Sequence, residues 1–355
     1  MKEMPAPEKP WSRSSITCGS KRMNISNRTA LPVCQFISTG GTIAMKTDPA
    51  GNAPVPSLSG DDLLARVPGL RHIADLRVQN LLNVPSDYMG PAEWVALHGA
   101  VEAALAQDDV AGAVVSHGTD TLEETAWFLD LTIASDKPVV LTGAQRNASE
   151  PDSDGPRNLL NAARVCIDPA ARGKGVMVVL NHQINAAREV TKSHTSDIEA
   201  FKSGDFGLLG TVDDDRVVFA RKPQRRQQLP LTGTALPHVA IVCMYGGADG
   251  SLIRHAASVG VKGIVVQALG WGNVNLAMHE AIEEAIDAGI AVVISTRVPN
   301  GRVRPIYGFT GGGKTLKNVG ATFADNLSPH KARILLMLAL QTAQSAASLQ
   351  ALFDR

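Results

Sequence analysis

The stretch CQFISTGGTIAMKTDPAGNAPVPSLSG, Cys34 to Gly60, begins as an apolar strand and stops at Thr39-Gly40-Gly41-Thr42. Beyond Thr42 it is polar and Pro-rich and reads as a shapeless loop. Two glycines at a strand end let the backbone approach a ligand and leave amides free for an oxyanion, while threonine hydroxyls serve as nucleophile or donor. A plain strand-to-loop turn accounts equally well for TGGT taken alone.

Outward from that point, short β-branched runs alternate with helical stretches. Strands are expected at 33–38, 76–84, 110–116, 138–142 and 175–180, and helices at 61–67, 91–106, 122–134 and 155–166. This alternation argues a parallel sheet covered by helices, with its ligand site beyond the strand ends. A Pro/Gln/Arg stretch at 222–237 reads as a linker. Strands then resume at 239–244, 263–267 and 290–295, with a helix at 276–288 and a helical pair from 329 onward. The expected architecture is α/β: a larger N-terminal domain over 33–221 and a smaller C-terminal domain over 238–355, both built on parallel sheets. Residues 1–32 read as a mobile tail, and Met23 is a candidate start.

The 355 residues are 44% apolar, enough for a large core, and length alone suggests about two domains. Lysine plus arginine and aspartate plus glutamate both number 34, so no net field attracts a polyanion, and nucleic acid is excluded as a partner. Apolar runs such as Ile334 to Leu340 fall short of the roughly 20 residues a membrane helix needs. The N-terminus lacks a signal-peptide core, so a cytoplasmic protein is expected. Cys18, Cys34, Cys166 and Cys243 show no paired spacing, which suggests neither disulfides nor a metal site.

A second polar cluster ends a strand in VVSHGTDTLEETAWFLDL, Val114 to Leu131. Thr121 and Glu124 read as a T-x-x-E capping box opening an amphipathic helix. That leaves Thr119-Asp120 unexplained, ahead of the cap and facing the crevice. In REVTKSHTSDIEAF, Lys192 follows the fifth strand. A lone lysine there is usually a solvated charge, but beside a buried threonine and an aspartate it can act as a base.

In these motifs the chain resembles the bacterial-type asparaginase family, the L-asparaginases and glutaminase-asparaginases, from Pro32 to the C-terminus. TGGTIA and HGTDT match both active-site signatures apart from Phe36, where a smaller aliphatic is usual. The resemblance implies cofactor-free hydrolysis of an amino-acid side-chain amide to acid and ammonia through a threonine-bound acyl-enzyme. It makes Thr42 the nucleophile and Thr119, Asp120 and Lys192 the supporting catalytic set. In NVPSDYMGPAEW it places Ser86 on the substrate carboxylate and Asp87 on its ammonium, with Gly41 and Gly118 completing the substrate-binding group. Gly272 to Asn275 resembles the segment that reaches a neighbouring subunit, and homotetramers built from close dimers are implied. Independently, Ser86 and Asp87 supply the donor and anion a zwitterionic substrate requires.

Two departures bear on substrate choice. Met45 to Ser59 lacks the loop tyrosine usual near the nucleophile, its counterpart lying near Ala53-Pro54, and GRVRPIYGFTGGGKTLKNVGATF lacks an acidic residue extended toward the neighbouring site. Of Tyr88, Tyr245 and Tyr307, the glycine-flanked Tyr307 is the candidate substitute, with 45–59 acting only as a lid. Gly308 to Thr315 spells G-x-x-x-x-G-K-T, yet it follows Pro305 and runs into Gly320, without the strand and helix a phosphate loop requires. Two other classes compete. A tRNA-dependent amidotransferase needs an added domain and a basic face. A silent amino-acid-amide binder needs Ser86 and Asp87 but has no use for Thr119, Asp120 and Lys192.

Overall fold

The computed structural model describes residues 30–343 and 345–355; the expected tail, with Cys18 and Met23, lies outside them apart from residues 30–32. In the first domain the chain runs β1 (Val33–Gly40), β2 (Met45–Thr47), β3 (Pro54–Pro56), α1 (Gly60–Ala65), β4 (Asp75–Val84), α2 (Pro91–Leu105), β5 (Val110–Ser116), α3 (Leu122–Thr132), β6 (Val139–Thr142), α4 (Gly155–Ile167) and β7 (Val176–Leu180). It continues through β8 (Gln183–Ala186), β9 (Thr191–Lys192), β10 (Phe201–Lys202), β11 (Gly210–Val212) and β12 (Val217–Phe219). Eight of these strands form one sheet ordered β12-β11-β8-β7-β6-β5-β1-β4, parallel from β4 to β7 and antiparallel beyond.

The central strands are apolar on both faces because helices cover both. Along β1, Cys34 and Phe36 face one core while Ile37 faces the other. That is the two-residue period of a strand with two buried faces. From β1 the chain moves to β4 on one side and then to β5 on the other. The order therefore reverses between β1 and β5, the crevice where doubly wound sheets bind ligands.

The second domain comprises β13 (Val239–Cys243), α5 (Ser251–Ser258), β14 (Gly263–Ala268), α6 (Leu276–Asp287), β15 (Ala291–Thr296), α7 (Gly313–Asn318), β16 (Thr322–Phe323), α8 (Pro329–Ala339) and α9 (Ala346–Phe353). Its four strands pair in parallel in the order β13-β14-β15-β16. The protein is thus a two-domain α/β chain, with a larger, mostly parallel sheet followed by a smaller parallel one. No helix among the described residues is long and apolar enough to cross a membrane.

Three local readings change and one, the third below, gains detail. First, α3 has no capping box: the Thr121 hydroxyl makes no cap bond and instead donates to the Ser86 carbonyl at 2.7 Å. Nor is α3 amphipathic. All its residues except Glu124 are buried, because α8 of the second domain lies on its outer face. In α8, Ile334 to Leu338 are buried against α3 and the second sheet, each worth roughly 1.5–3 kcal/mol in removed apolar surface.

Second, the segment after Thr42 is a hairpin in which β2 and β3 pair antiparallel. It is tied down where the Ala148 amide donates to the Met45 carbonyl (2.9 Å) and the Thr47 amide to Ser149 Oγ (3.0 Å). Third, the stretch read as a linker has no regular structure but packs closely: Leu229 is buried, and its amide donates to the Leu131 carbonyl at 2.7 Å.

Fourth, the G-x-x-x-x-G-K-T segment does open a helix, the six-residue α7, although no strand precedes it. Its amides are already committed: Gly311 to Thr315 Oγ1, Gly312 to the Phe309 carbonyl, Gly313 to Asn273 Oδ1 and Lys314 to the Tyr307 carbonyl. A Cβ on Gly311 would lie 2.3 Å from the Val274 carbonyl oxygen, so this glycine serves backbone packing. Calorimetry with ATP or GTP is accordingly expected to show no saturable binding. Micromolar affinity lost in Lys314→Ala would overturn that.

Candidate active site

The two glycine motifs meet at the switch point. Gly41 has φ +82°, and a Cβ there would lie 2.2 Å from both the Cα and the amide nitrogen of Gly118. A Cβ on Gly118 would in turn lie 2.8 Å from Ser86 Cβ and Oγ. Three segments distant in sequence thus converge with only glycine hydrogens between them. The next residue along each glycine segment is a threonine, Thr42 in a short 3₁₀ turn and Thr119 just ahead of α3. Thr39 closes the gap between the strands, its hydroxyl donating to the Ser116 carbonyl at 2.9 Å.

Gly41 does not offer the free amide expected of it, since that amide donates to the Val84 carbonyl at 3.0 Å. The free donors lie across the crossing: among the described residues, none of the amides of Gly118, Thr119, Asp120 and Thr121 has a protein acceptor. They precede α3, where the helix dipole also favours an anion.

Lys192 joins this group from β9. Its Nζ lies 2.9 Å from Thr119 Oγ1 and 2.5 Å from Asp120 Oδ1, with the lysine side chain only 14% exposed. An ammonium only donates, so the Thr119 hydroxyl proton is directed elsewhere, toward Gln145 Oε1 at 3.4 Å. The Nε2 of Gln145 is buried without a partner among the described residues. Ser86 is buried, whereas Asp87 and Tyr88 are exposed.

Other expected residues stand apart. Asn275 caps α6, accepting from the Met278 amide (2.9 Å) and donating to the Ala248 carbonyl (2.7 Å). Tyr307 is half exposed in an aromatic group with Trp271 and Phe309, and its hydroxyl bonds to no described residue.

The sequence also concealed His117. Trp94 Nε1 only donates, and it donates to Thr125 Oγ1 at 3.0 Å. The Gly118 carbonyl only accepts, so His117 Nδ1 carries the hydrogen and donates to it at 2.7 Å, and Nε2 of the neutral ring accepts the Thr125 proton at 2.9 Å. The chain of bonds fixes a neutral imidazole beneath the glycine crossing. Burial pushes its pKa down from 6.5 to about 4, against a smaller opposing effect of the Gly118 carbonyl. The folded value lies below the unfolded one, so the stability carried by the neutral ring is complete above pH 6.5 and is lost as pH falls toward 4. Urea unfolding is expected to show a loss of about 3 kcal/mol over that interval, absent in His117→Gln. Equal slopes in both proteins would exclude His117 as its source.

The family profile described as Asparaginase, N-terminal matches residues 34–225, and that described as Glutaminase/Asparaginase C-terminal domain matches 238–353. A probable periplasmic L-asparaginase of Haemophilus influenzae is 35% identical over 346 residues, covering 94% of this chain and 95% of its own. L-asparaginase 2 of Bacillus subtilis is 37% identical over 338 residues, covering 93% and 88%. The crystal structure of a probable cytoplasmic L-asparaginase from Campylobacter jejuni superposes with a TM-score of 0.83 at 35% identity, covering 91% of this chain and 99% of that one. Matched in order along both of its domains, the chain belongs to the asparaginase family.

Proposed function

We propose that the protein hydrolyses the side-chain amide of asparagine, and of glutamine as a second substrate, to the acid and ammonia through a threonine acyl-enzyme. The observation that carries this reading is the Lys192 ammonium bridging Thr119 Oγ1 and Asp120 Oδ1 beside the crossing that holds Thr42. Thr42 Oγ attacks the amide carbon, and the oxyanion is met by the unpaired amides of 118–121. Collapse expels ammonia, with the hydroxyl proton passing to the leaving nitrogen through the Thr119 and Lys192 group. Water then attacks the ester, releasing the acid and restoring the threonine. Ser86 faces the substrate carboxylate and Asp87 its ammonium.

Ammonia release from a panel of L- and D-asparagine, glutamine and N-terminally blocked amides tests the reading; no release from any of them would sink it. Asp87→Ala is expected to raise KM for every amino-acid amide about 30-fold or more, the lower end of the cost of truncating a charge pair that the bound substrate buries. An unchanged KM would assign the ammonium to another group.

We further infer a cytoplasmic homotetramer of paired dimers. In support, the Campylobacter jejuni structure that this chain resembles is that of a probable cytoplasmic L-asparaginase. Trp271, Tyr307 and Phe309 form an open aromatic face suited to a second copy. On this reading Tyr307 acts on a neighbouring chain's Thr42. Native mass spectrometry and the kinetics of Tyr307→Phe test both statements.

A further inference from the structure

Lys192 is gripped at both ends by one five-residue segment. Its ammonium meets Thr119 and Asp120, while its backbone amide donates to Glu123 Oε1 at 3.1 Å. The neighbouring Thr191 hydroxyl donates to the same oxygen, also at 3.1 Å. β9, which carries both residues, is two residues long and pairs with the equally short β10. The other carboxylate oxygen belongs to the second domain: His330 Nε2 lies 3.0 Å from Glu123 Oε2, with Lys331 Nζ at 3.9 Å. A carboxylate only accepts, so His330 presents Nε2–H. Lys331 Nζ also donates to the carbonyls of Ala187 (3.0 Å), Arg188 (3.1 Å) and Val190, the residues leading into β9.

We propose that Glu123 is a positioning residue for Lys192, and that His330 of α8 holds Glu123 in the orientation that does this. The second domain thereby sets the geometry of a catalytic group in the first domain of its own chain. The proposal rests on the reading of Lys192 as a catalytic residue.

Glu123 is only 6% exposed. Burial alone would raise its pKa, but the His330 hydrogen bond and the Lys331 charge outweigh it and hold the group at about 2, a carboxylate throughout the working range. A buried carboxylate is a costly way merely to join two domains. What it provides here is two acceptor oxygens on one rigid group, one for β9 and one for α8. Loss of the clamp lets Lys192 drift from Thr119, and a displacement of about 1 Å costs on the order of 10²-fold in rate.

The test compares ammonia release by the full-length protein with Glu123→Ala, His330→Ala, His330→Gln and Lys192→Ala, each per unit of folded enzyme by thermal melting. Expected are a kcat loss of about tenfold or more in Glu123→Ala and a smaller loss in His330→Ala, with KM changed less than about threefold. His330→Gln, whose side-chain amide can still donate to Oε2, should recover most of the His330→Ala loss. Unchanged kcat in both alanine variants while Lys192→Ala is inactive would reduce Glu123 to a domain tie and overturn the proposal. Full activity in Lys192→Ala would instead overturn the catalytic reading beneath it. Should Glu123→Ala fail to fold, the His330 pair decides, since that side chain is 31% exposed and lies at the outer end of the clamp: kcat loss with rescue supports the proposal, and wild-type kcat in both ends it.

Discussion

Thr42→Ala and Thr119→Ala are each expected to lower kcat by about 10³-fold or more and to leave the fold intact, the scale for removing a group that bonds to substrate or moves its proton. Neither hydroxyl is needed for packing. Thr42 is half-buried in a one-turn helix and its hydroxyl has no partner among the described residues, and the neighbours of Thr119 are Lys192 and Gln145. On the proposed acyl-enzyme mechanism the two act on one reaction, so the double variant should be hardly slower than either single one. Steady-state ammonia release, with melting curves to confirm folding, provides the check. A variant retaining more than about a tenth of the wild-type rate takes its residue out of the covalent steps, and two such variants end the acyl-enzyme proposal.

Gly41→Ala should be nearly as damaging for a different reason. The added methyl would sit 2.2 Å from two backbone atoms of Gly118, at a φ of +82° that an L side chain rarely adopts. No flexible side chain can move aside. The segments must part by about 1 Å, which separates Thr42 from Thr119 and costs on the order of 10²-fold in rate as well as stability. Gly118→Ala meets Ser86 Cβ and Oγ at 2.8 Å and Gly41 Cα at 3.1 Å, a lesser clash at an ordinary φ, so it is expected to cost less stability and to raise KM by displacing Ser86. If Gly41→Ala is the milder of the two, the crossing is not what aligns the threonines.

The central strands and most helices were legible because two-sided burial leaves continuous apolar runs: the expected 110–116 strand is β5, and 155–166 differs from α4 by one residue. Short pairings were not legible. β2 and β3 lack an alternating pattern, and β3 is two prolines around an exposed valine. At the site, the residues that face the crevice could be read from strand ends, and Lys192, Thr119 and Asp120 do come together. The residues that hold them could not be read, for they depend on a second domain that local pattern ignores. Glu123 and Glu124 look alike as first-turn acids of a helix, and only α8, packed across α3, makes the former an interior group. Thr121 fits the capping motif by spacing, yet its hydroxyl is used by Ser86, some 35 residues earlier in the chain.

If Met45 to Ser59 is the lid proposed for it, the hairpin beyond Thr42 alters the thermodynamics of substrate capture. Ordering a coil costs about 1–2 kcal/mol per residue, so the dozen residues from Met45 to Pro56, had they been unstructured, would subtract on the order of 10 kcal/mol from any ligand that organised them. Here their strands are already paired and moored to Ala148 and Ser149. Closure then becomes a pivot of a preformed unit rather than a folding event. Binding of the amino-acid amide should accordingly show a small heat-capacity change, and an encounter rate limited by diffusion and docking.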